Sequence, residues 1–254
     1  MKTRQIVSKL RGIFRAKIRS INADMLYHWI LYFKSQPIAV SQKSAMVFSP
    51  HQDDETLGCG GLIALKRSLG VTVEVVFLTD GRYGRPDWIK AEMIAEIRQR
   101  EALNALDILG VANSQTHFLN QIDGSLQYLL NDQRQHIIDQ LAQRLRLFMP
   151  EEVYVPHRKD VHGDHEATYQ LVKEAIAASG IQVELLQYPI WMLWQNPLYF
   201  ELKSEDIANA YRLTIDSVKD RKKQAIKTYR SQISMLPSGF LERFFLPYEI
   251  FFKN

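Results

Sequence analysis

His51, Asp53, Asp54 and Glu55 stand within the run Ser49-Pro50-His51-Gln52-Asp53-Asp54-Glu55, and His157, His162 and His165 stand within the ten residues from Pro156 to His165. Imidazoles and carboxylates at that density make a poor hydrophobic core and a good cation site. A catalytic zinc site commonly takes three nitrogen or oxygen ligands and leaves a fourth position for water. His51, Asp54 and His165 are assigned to that role, with one Zn2+ per chain; the same ligand kinds also suit Fe2+. A zinc ion so held brings the pKa of its water down to about 7 and polarises a bound carbonyl. Asp53, beside a ligand without being one, is the natural general base. His162, as imidazolium, would stabilise an oxyanion and protonate a departing amine, with Asp164 hydrogen-bonded to its other ring nitrogen. The plainer alternative, an acidic turn capping the next helix, explains neither the histidine nor the second motif. His157 and Asp160 are left outside the site, and His28, His117 and His136 are read as structural.

Elements that would position these residues are visible in the periodicity. Strand-length apolar runs at Ala45–Phe48, Thr72–Leu78, Thr116–Leu119, Glu152–Val155 and Leu185–Tyr188 alternate with helical segments at Leu57–Leu69, Trp88–Leu109, Asp132–Phe148 and about Asp164–Ala178. That rhythm predicts βαβ units and a Rossmann-like, doubly wound α/β fold, its sheet mostly parallel with helices on both faces. Gly70, Gly110 and Ser179-Gly180 stand where three of the helices should end. Both motifs follow strands, the first and the fourth. In the order 3-2-1-4-5 those strands are neighbours, and the crevice where strand order reverses would bring the motifs together. Farther along, a strand is expected at Tyr211–Thr214 and a helix from Val218 to about Arg230. No internal repeat is evident.

With those residues in place, the chain resembles the LmbE-like, or PIG-L, deacetylases. His51-Gln52-Asp53-Asp54-Glu55 with its following Gly-rich turn, and His162-Gly163-Asp164-His165, are similar to the family's paired signatures. Arg98-Gln99-Arg100-Glu101-Ala102 resembles its Arg-x-x-Glu-Ala helix, Leu78-Thr79-Asp80-Gly81 its loop after the second strand, and Asp123-Gly124 its mid-chain turn. Lys223 through Tyr229 to Ser231-Gln232 resembles its late helix. The resemblance implies a zinc-dependent N-deacetylase acting on N-acetylglucosamine-type conjugates, releasing a free amine and acetate, with Arg98 in contact with substrate. Two positions depart from the pattern. Gln52 replaces the commoner proline, which removes a preset φ but no ligand atom. Arg82 stands where an acid is frequent, and a cation there would favour an anionic substrate group.

Composition narrows the alternatives. Apolar residues make up 46% and charged residues 24% of the 254, ordinary for a folded protein with one sizeable core. Cys59 is the only cysteine, which excludes an intrachain disulfide and a thiolate zinc cluster and fits a reducing, cytoplasmic setting. No apolar run approaches the roughly 20 residues of a membrane span, and the features of a signal peptide are lacking. The first 23 residues carry seven basic side chains and no acid, so the rest of the chain, against a total of +4, sums to −3. Residues 1–40 are therefore read as a basic amphipathic extension, and 41–254 as a single α/β domain with an irregular, aromatic-rich last part. The extension is expected either to dock on the core or to make peripheral membrane contact. The aromatic tail from Phe240 to Phe252 should dock on the body, on another subunit of a homo-oligomer, or on a lipid surface. Tyr188, Trp191, Trp194, Tyr199 and Phe200 are candidates for a sugar-stacking wall, or for core. Nucleic acid is excluded as a partner, since the basic residues lack a recognition helix or stacking motif. Rival readings are a two-metal phosphoester enzyme, which needs more carboxylates than histidines, a non-heme iron enzyme, and a non-catalytic carbohydrate-binding relative.

Overall fold

The computed structural model describes residues 2–194 and 202–253, with side-chain surroundings from residue 16 onward; Tyr199 and Phe200 lie outside the described residues. The chain runs through α1 (Lys2–Trp29), a short π-helical turn (Ile30–Lys34), β1 (Gln36–Ile38), β2 (Ala45–Ser49), α2 (Asp54–Ser68), β3 (Val73–Thr79), α3 (Ile94–Leu109) and β4 (Thr116–Gln121). It continues through α4 (Asn131–Phe148), β5 (Glu152–Pro156), α5 (Gly163–Ser179), β6 (Glu184–Tyr188), β7 (Ala210–Thr214), α6 (Lys219–Ile226), α7 (Arg230–Ile233) and β8 (Tyr248–Lys253).

One eight-stranded sheet has the order β1-β7-β8-β6-β5-β2-β3-β4. Its half from β4 to β6 is all parallel and has the expected 3-2-1-4-5 order, so β2 and β5, the strands that precede the two motifs, are paired neighbours. Side chains alternate between faces as a pleat requires. Val47, Val75 and Phe77 join a core with α2, α3 and α6, while Met46, Phe48, Val76, Val153 and Val155 join one with α4 and α5. Every residue of β2 is buried, as expected of a strand covered on both faces.

The aromatic tail has a place that its composition did not reveal. Residues Tyr248–Lys253 form β8, inserted antiparallel between β6 and β7, with Phe251 and Phe252 buried in the main core. The chain's last strand thus joins the parallel half to β7 and β1, and the apolar residues that looked like a docking tail are interior. At the other end, Ala23, Tyr27, Ile30 and Leu31 join that same core, and β1 pairs with β7. Residues 23–38 are thus part of the body. The helix expected from Trp88 starts only at Ile94, with turns before it.

β8 also carries a buried ion pair. Lys222 Nζ lies 2.7 Å from Glu249 Oε1, and the same carboxylate accepts the backbone N–H of Gly61 at 2.6 Å and of Leu62 at 2.8 Å, tying α6, β8 and α2 together. Both side chains are only 2% exposed, so removing one partner strands the other charge. Lys222→Met is expected to lower unfolding free energy by about 3–5 kcal/mol in denaturant titration. A loss below about 1 kcal/mol would mean that the two helix amides alone satisfy Glu249.

Glycines let α2 lie close to the sheet. A Cβ at Gly58 would sit 2.3 Å from Cδ2 of Tyr188, and one at Gly61 would sit 2.6 Å from Ile215. Tyr188 is wholly buried and its hydroxyl donates to the Phe48 carbonyl at 2.8 Å, so the ring cannot yield. Gly58→Ala is therefore expected to cost about 1–3 kcal/mol of stability in thermal unfolding. It should also displace the Asp54 carboxylate, because α2 starts at that residue.

Candidate metal centre and catalytic cleft

The turn leaving β2 is tied to itself before it reaches the site. Ser49 Oγ donates to the His51 carbonyl at 2.7 Å and accepts the Glu55 N–H at 3.1 Å, while Asp54 Oδ2 accepts the His51 N–H at 3.1 Å. The same Asp54 oxygen lies 3.2 Å from His51 Nδ1 and 3.2 Å from His165 Nε2. The second motif enters from the start of α5, which carries Asp164 and His165 in its first turn, both buried. His51, Asp54 and His165 thus come together across the β2–β5 crevice.

The far sides of the two imidazoles are held by carboxylates. Asp160 Oδ2 is 2.7 Å from His165 Nδ1, and Asp160 Oδ1 accepts the N–H groups of Ile190, Trp191 and Met192 at 2.8–3.0 Å. His51 Nε2 faces Asp123 Oδ1 at 3.1 Å and Asp164 Oδ2 at 3.2 Å. With a cation bound, one proton committed outward on each ring would leave His165 Nε2 and His51 Nδ1 as ligand nitrogens on the Asp54 side, the carboxylate–histidine arrangement that orients metal ligands. His165 Nε2 is buried and, although it lies 3.2 Å from Asp54 Oδ2, makes no hydrogen bond of acceptable geometry among the described residues. An orphaned imidazole nitrogen between a carboxylate and a second imidazole is the mark of a cation position, and the donor set fits zinc.

Electrostatics agree. Burial alone would lower His165, but Asp54 and Asp160 raise it to about 9. Burial alone would raise Asp54, but His165 and His51 hold it well below the usual carboxylate range. Burial likewise works against Asp123, which the His51 hydrogen bond holds low. A site that charges its imidazoles this strongly is a negative well for a divalent ion.

Asp53 stands at the entrance of α2 with φ +145°, outside the regions that L-residues ordinarily occupy. Strain of this kind persists where the surroundings over-determine the backbone. Here Arg98 does so: its buried guanidinium donates to the Gln52 carbonyl at 2.9 Å and to the Gly81 carbonyl at 3.1 Å, and lies 3.4 Å from Asp53 Oδ1. Burial, then the charge of Asp54, push Asp53 up to about 7, against the pull of Arg98. Gln52, where proline would stiffen the turn, ties it instead by donating from Nε2 to the Thr79 carbonyl at 2.7 Å.

Other expected residues fall differently. His162 lies with its ring centre 4.9 Å from that of His51 and 4.8 Å from that of His165, near enough for the three rings to offer nitrogens to one ion. Its expected partner is not there: Asp164 gives its oxygens to His51 and to the N–H groups of Gly124 and Leu126, at 2.7 and 3.0 Å. His162 Nδ1 is instead buried without a partner. Burial, then His165 and His51, push His162 down to about 4, so it is neutral near pH 7 rather than the imidazolium expected from the motif. Arg82 is paired with Asp80, Nε to Oδ2 at 2.7 Å, with its side chain 47% exposed, and it does not line the cleft. Arg98 points into the site instead of pairing along its helix. Glu101, one turn on, accepts the Ser231 N–H at 2.9 Å and its hydroxyl at 2.6 Å.

The cleft above these groups has a volume of about 420 Å³. Asp53, His51, Asp54, His162 and Arg98 line its polar floor, and Leu57, Ile190, Trp191, Met235, Leu236 and Phe240 its apolar side. Trp191 meets Phe240 with ring centres 4.2 Å apart. Of the aromatic wall expected from the sequence, Trp191 faces the cleft, whereas Tyr188 and Trp194 are interior. A larger cavity of about 720 Å³ lies around Arg158, Lys159 and Lys203, away from the histidine cluster. Sequence reasoning passed over Asp160 and the roles of Asp123 and Phe240. Asp160 was in view, five residues before His165, but only the fold aims it at the ring.

The fold and site together define a doubly wound α/β protein with a buried cluster of histidines and carboxylates at its switch point, in which His51, His162 and His165 are close enough to hold one cation. Residues 46–176 match the family model described as PIG-L, GlcNAc-PI de-N-acetylase, and the chain belongs to that family. It is 30% identical over 175 residues to the uncharacterized deacetylase YaiS of Escherichia coli, covering 66% of this chain and 86% of that one. Among solved structures it is similar to the N,N'-diacetylchitobiose deacetylase of Pyrococcus horikoshii, with 25% identity, a TM-score of 0.59, and 79% and 73% of the two chains covered. It is also similar to GalB, the 4-carboxy-2-hydroxymuconate hydratase of Pseudomonas putida, with 26% identity, a TM-score of 0.61, and 80% and 82% covered.

Proposed function

We propose that this chain is a zinc-dependent N-deacetylase that hydrolyses the acetamide of an N-acetylglucosamine-type conjugate, giving free amine and acetate. The observation that carries this reading is the buried, unpartnered Nε2 of His165 beside Asp54 and His51, with Asp53 at the floor of a cleft open to substrate. His51, Asp54 and His165 would hold one zinc ion, which would supply Lewis acidity to water and to the acyl carbonyl. Asp53, pushed up to about 7 by burial and by Asp54, takes the proton of the attacking water and returns it to the departing amine. His162, neutral, donates one ring N–H to the developing oxyanion. Asp164 and Asp123 hold His51, Asp160 holds His165, and Arg98 holds the strained Asp53 turn at the substrate's edge. Trp191, backed by the buried Phe240, offers a stacking face for a pyranose ring.

The test is acetate and amine release from a panel of N-acetylglucosamine conjugates by zinc-loaded, iron-loaded and chelated protein. Release that chelation abolishes and zinc restores supports the reading, and activity only with iron would replace the metal. Hydration of 4-carboxy-2-hydroxymuconate without acetate release would instead align the chain with the hydratase that it resembles.

A further inference from the structure

α1 and the turn after it have two unlike faces. Ala23, Tyr27, Ile30 and Leu31 are buried in the core, and the helix is pinned on that side, with Tyr27 Oη donating to the Tyr248 carbonyl at 3.1 Å. On the opposite face Ile18, Ile21, Met25, Trp29, Tyr32 and Phe33 are between 38% and 78% exposed. Steps of three or four residues from Ile18 to Tyr32, with Phe33 four after Trp29, make one continuous stripe. Six large apolar side chains in a row are more than scattered surface hydrophobes, and they mark a face that meets something apolar. Lys17 and Arg19 flank the stripe, both exposed, and Lys34 lies 4.9 Å over the ring of Trp29.

We propose that this stripe is a docking face for an anionic membrane surface, with α1 lying in the plane of the interface. The apolar residues would enter the acyl boundary, where Trp and Tyr are favoured, while the basic residues meet lipid phosphates. Charge selects this occupant over a second copy of the chain. The first 23 residues hold seven basic side chains and no acid. A second copy would bring the same cations to the contact, whereas an anionic bilayer brings the opposite charge together with an apolar layer. No helix among the described residues is long and apolar enough to cross a membrane, so the contact is peripheral. The proposal is independent of the reaction assigned to the cleft.

The experiment is co-sedimentation of the full chain with vesicles of phosphatidylcholine alone or mixed with phosphatidylglycerol, alongside sedimentation velocity without lipid. Binding to the anionic vesicles should exceed binding to the neutral ones by about ten-fold or more and weaken with salt. Met25→Glu with Phe33→Glu should remove about nine-tenths of it with an unchanged thermal melt. Lys17→Glu with Arg19→Glu, which leaves the stripe intact, should remove the preference for anionic lipid. Equal binding to both vesicle types, or full binding by the Met25→Glu, Phe33→Glu chain, overturns the proposal. So does a lipid-indifferent oligomer that those two substitutions dissociate, which would assign the stripe to self-association.

Discussion

Asp53→Asn is expected to keep its fold and its zinc and to lose acetate release by about 10²–10⁴-fold, nearly all in kcat. The amide has the shape of the carboxylate but cannot take a proton from water. Asparagine also tolerates unusual backbone angles better than most residues, which matters at φ +145°. Arg98 keeps its hydrogen bonds to the Gln52 and Gly81 carbonyls, so the turn stays in place. The side chains of His51, Asp54 and His165, the proposed ligands, are untouched, so metal analysis of the purified variant should give the wild-type stoichiometry. A variant with full zinc and activity within ten-fold of wild type would remove Asp53 from the base role and direct attention to His162, whose Nδ1 is buried without a partner at the cleft floor.

Asp160→Asn should lower zinc affinity by about 10–100-fold, measured by competition with a chelator of known strength. The substituted amide still has one oxygen for the N–H groups of Ile190, Trp191 and Met192, which now meets all three without a negative charge. Its nitrogen then faces His165 Nδ1, where the carboxylate had accepted a proton. Two donors cannot face each other, so the ring must place its proton on Nε2, the atom that needs a lone pair for the cation. Loss of charge-assisted bonds at a buried site should also lower stability by about 1–3 kcal/mol. Unchanged zinc affinity in a destabilised protein would mean that Asp160 only supports the Ile190–Met192 turn. It would also mean that His165 is not a ligand whose tautomer matters.

Much of this protein is legible in its sequence. Residues on two strand-to-helix turns pointed to a shared polar site, because imidazoles and carboxylates do not cluster in an apolar interior without a reason. The parallel half of the sheet was legible because its strands, buried on both faces, read as short apolar runs between helices of regular period. Neighbouring β2 and β5 then followed from the topology that such units adopt. Chemistry and local periodicity are properties of short windows, and short windows are what a sequence displays.

Sequence by itself determined the residue types available for catalysis, the α/β class, and the meeting of the two motifs. Tertiary structure decided which side chain faces which. Asp164 serves His51 and two backbone amides instead of His162, because the first turn of α5 points it at the Asp123–Leu126 turn. Asp160, plain in the motif, became the partner of His165 only when the chain after β6 brought three N–H groups to its other oxygen. Arg82 was drawn off by Asp80, two residues earlier. The aromatic tail became β8, and Phe240 became a wall of the cleft, through contacts between residues far apart in the chain. Such pairings depend on distances of a few ångströms between elements whose relative placement is set by the packing of the whole core, and no local pattern of residues encodes them.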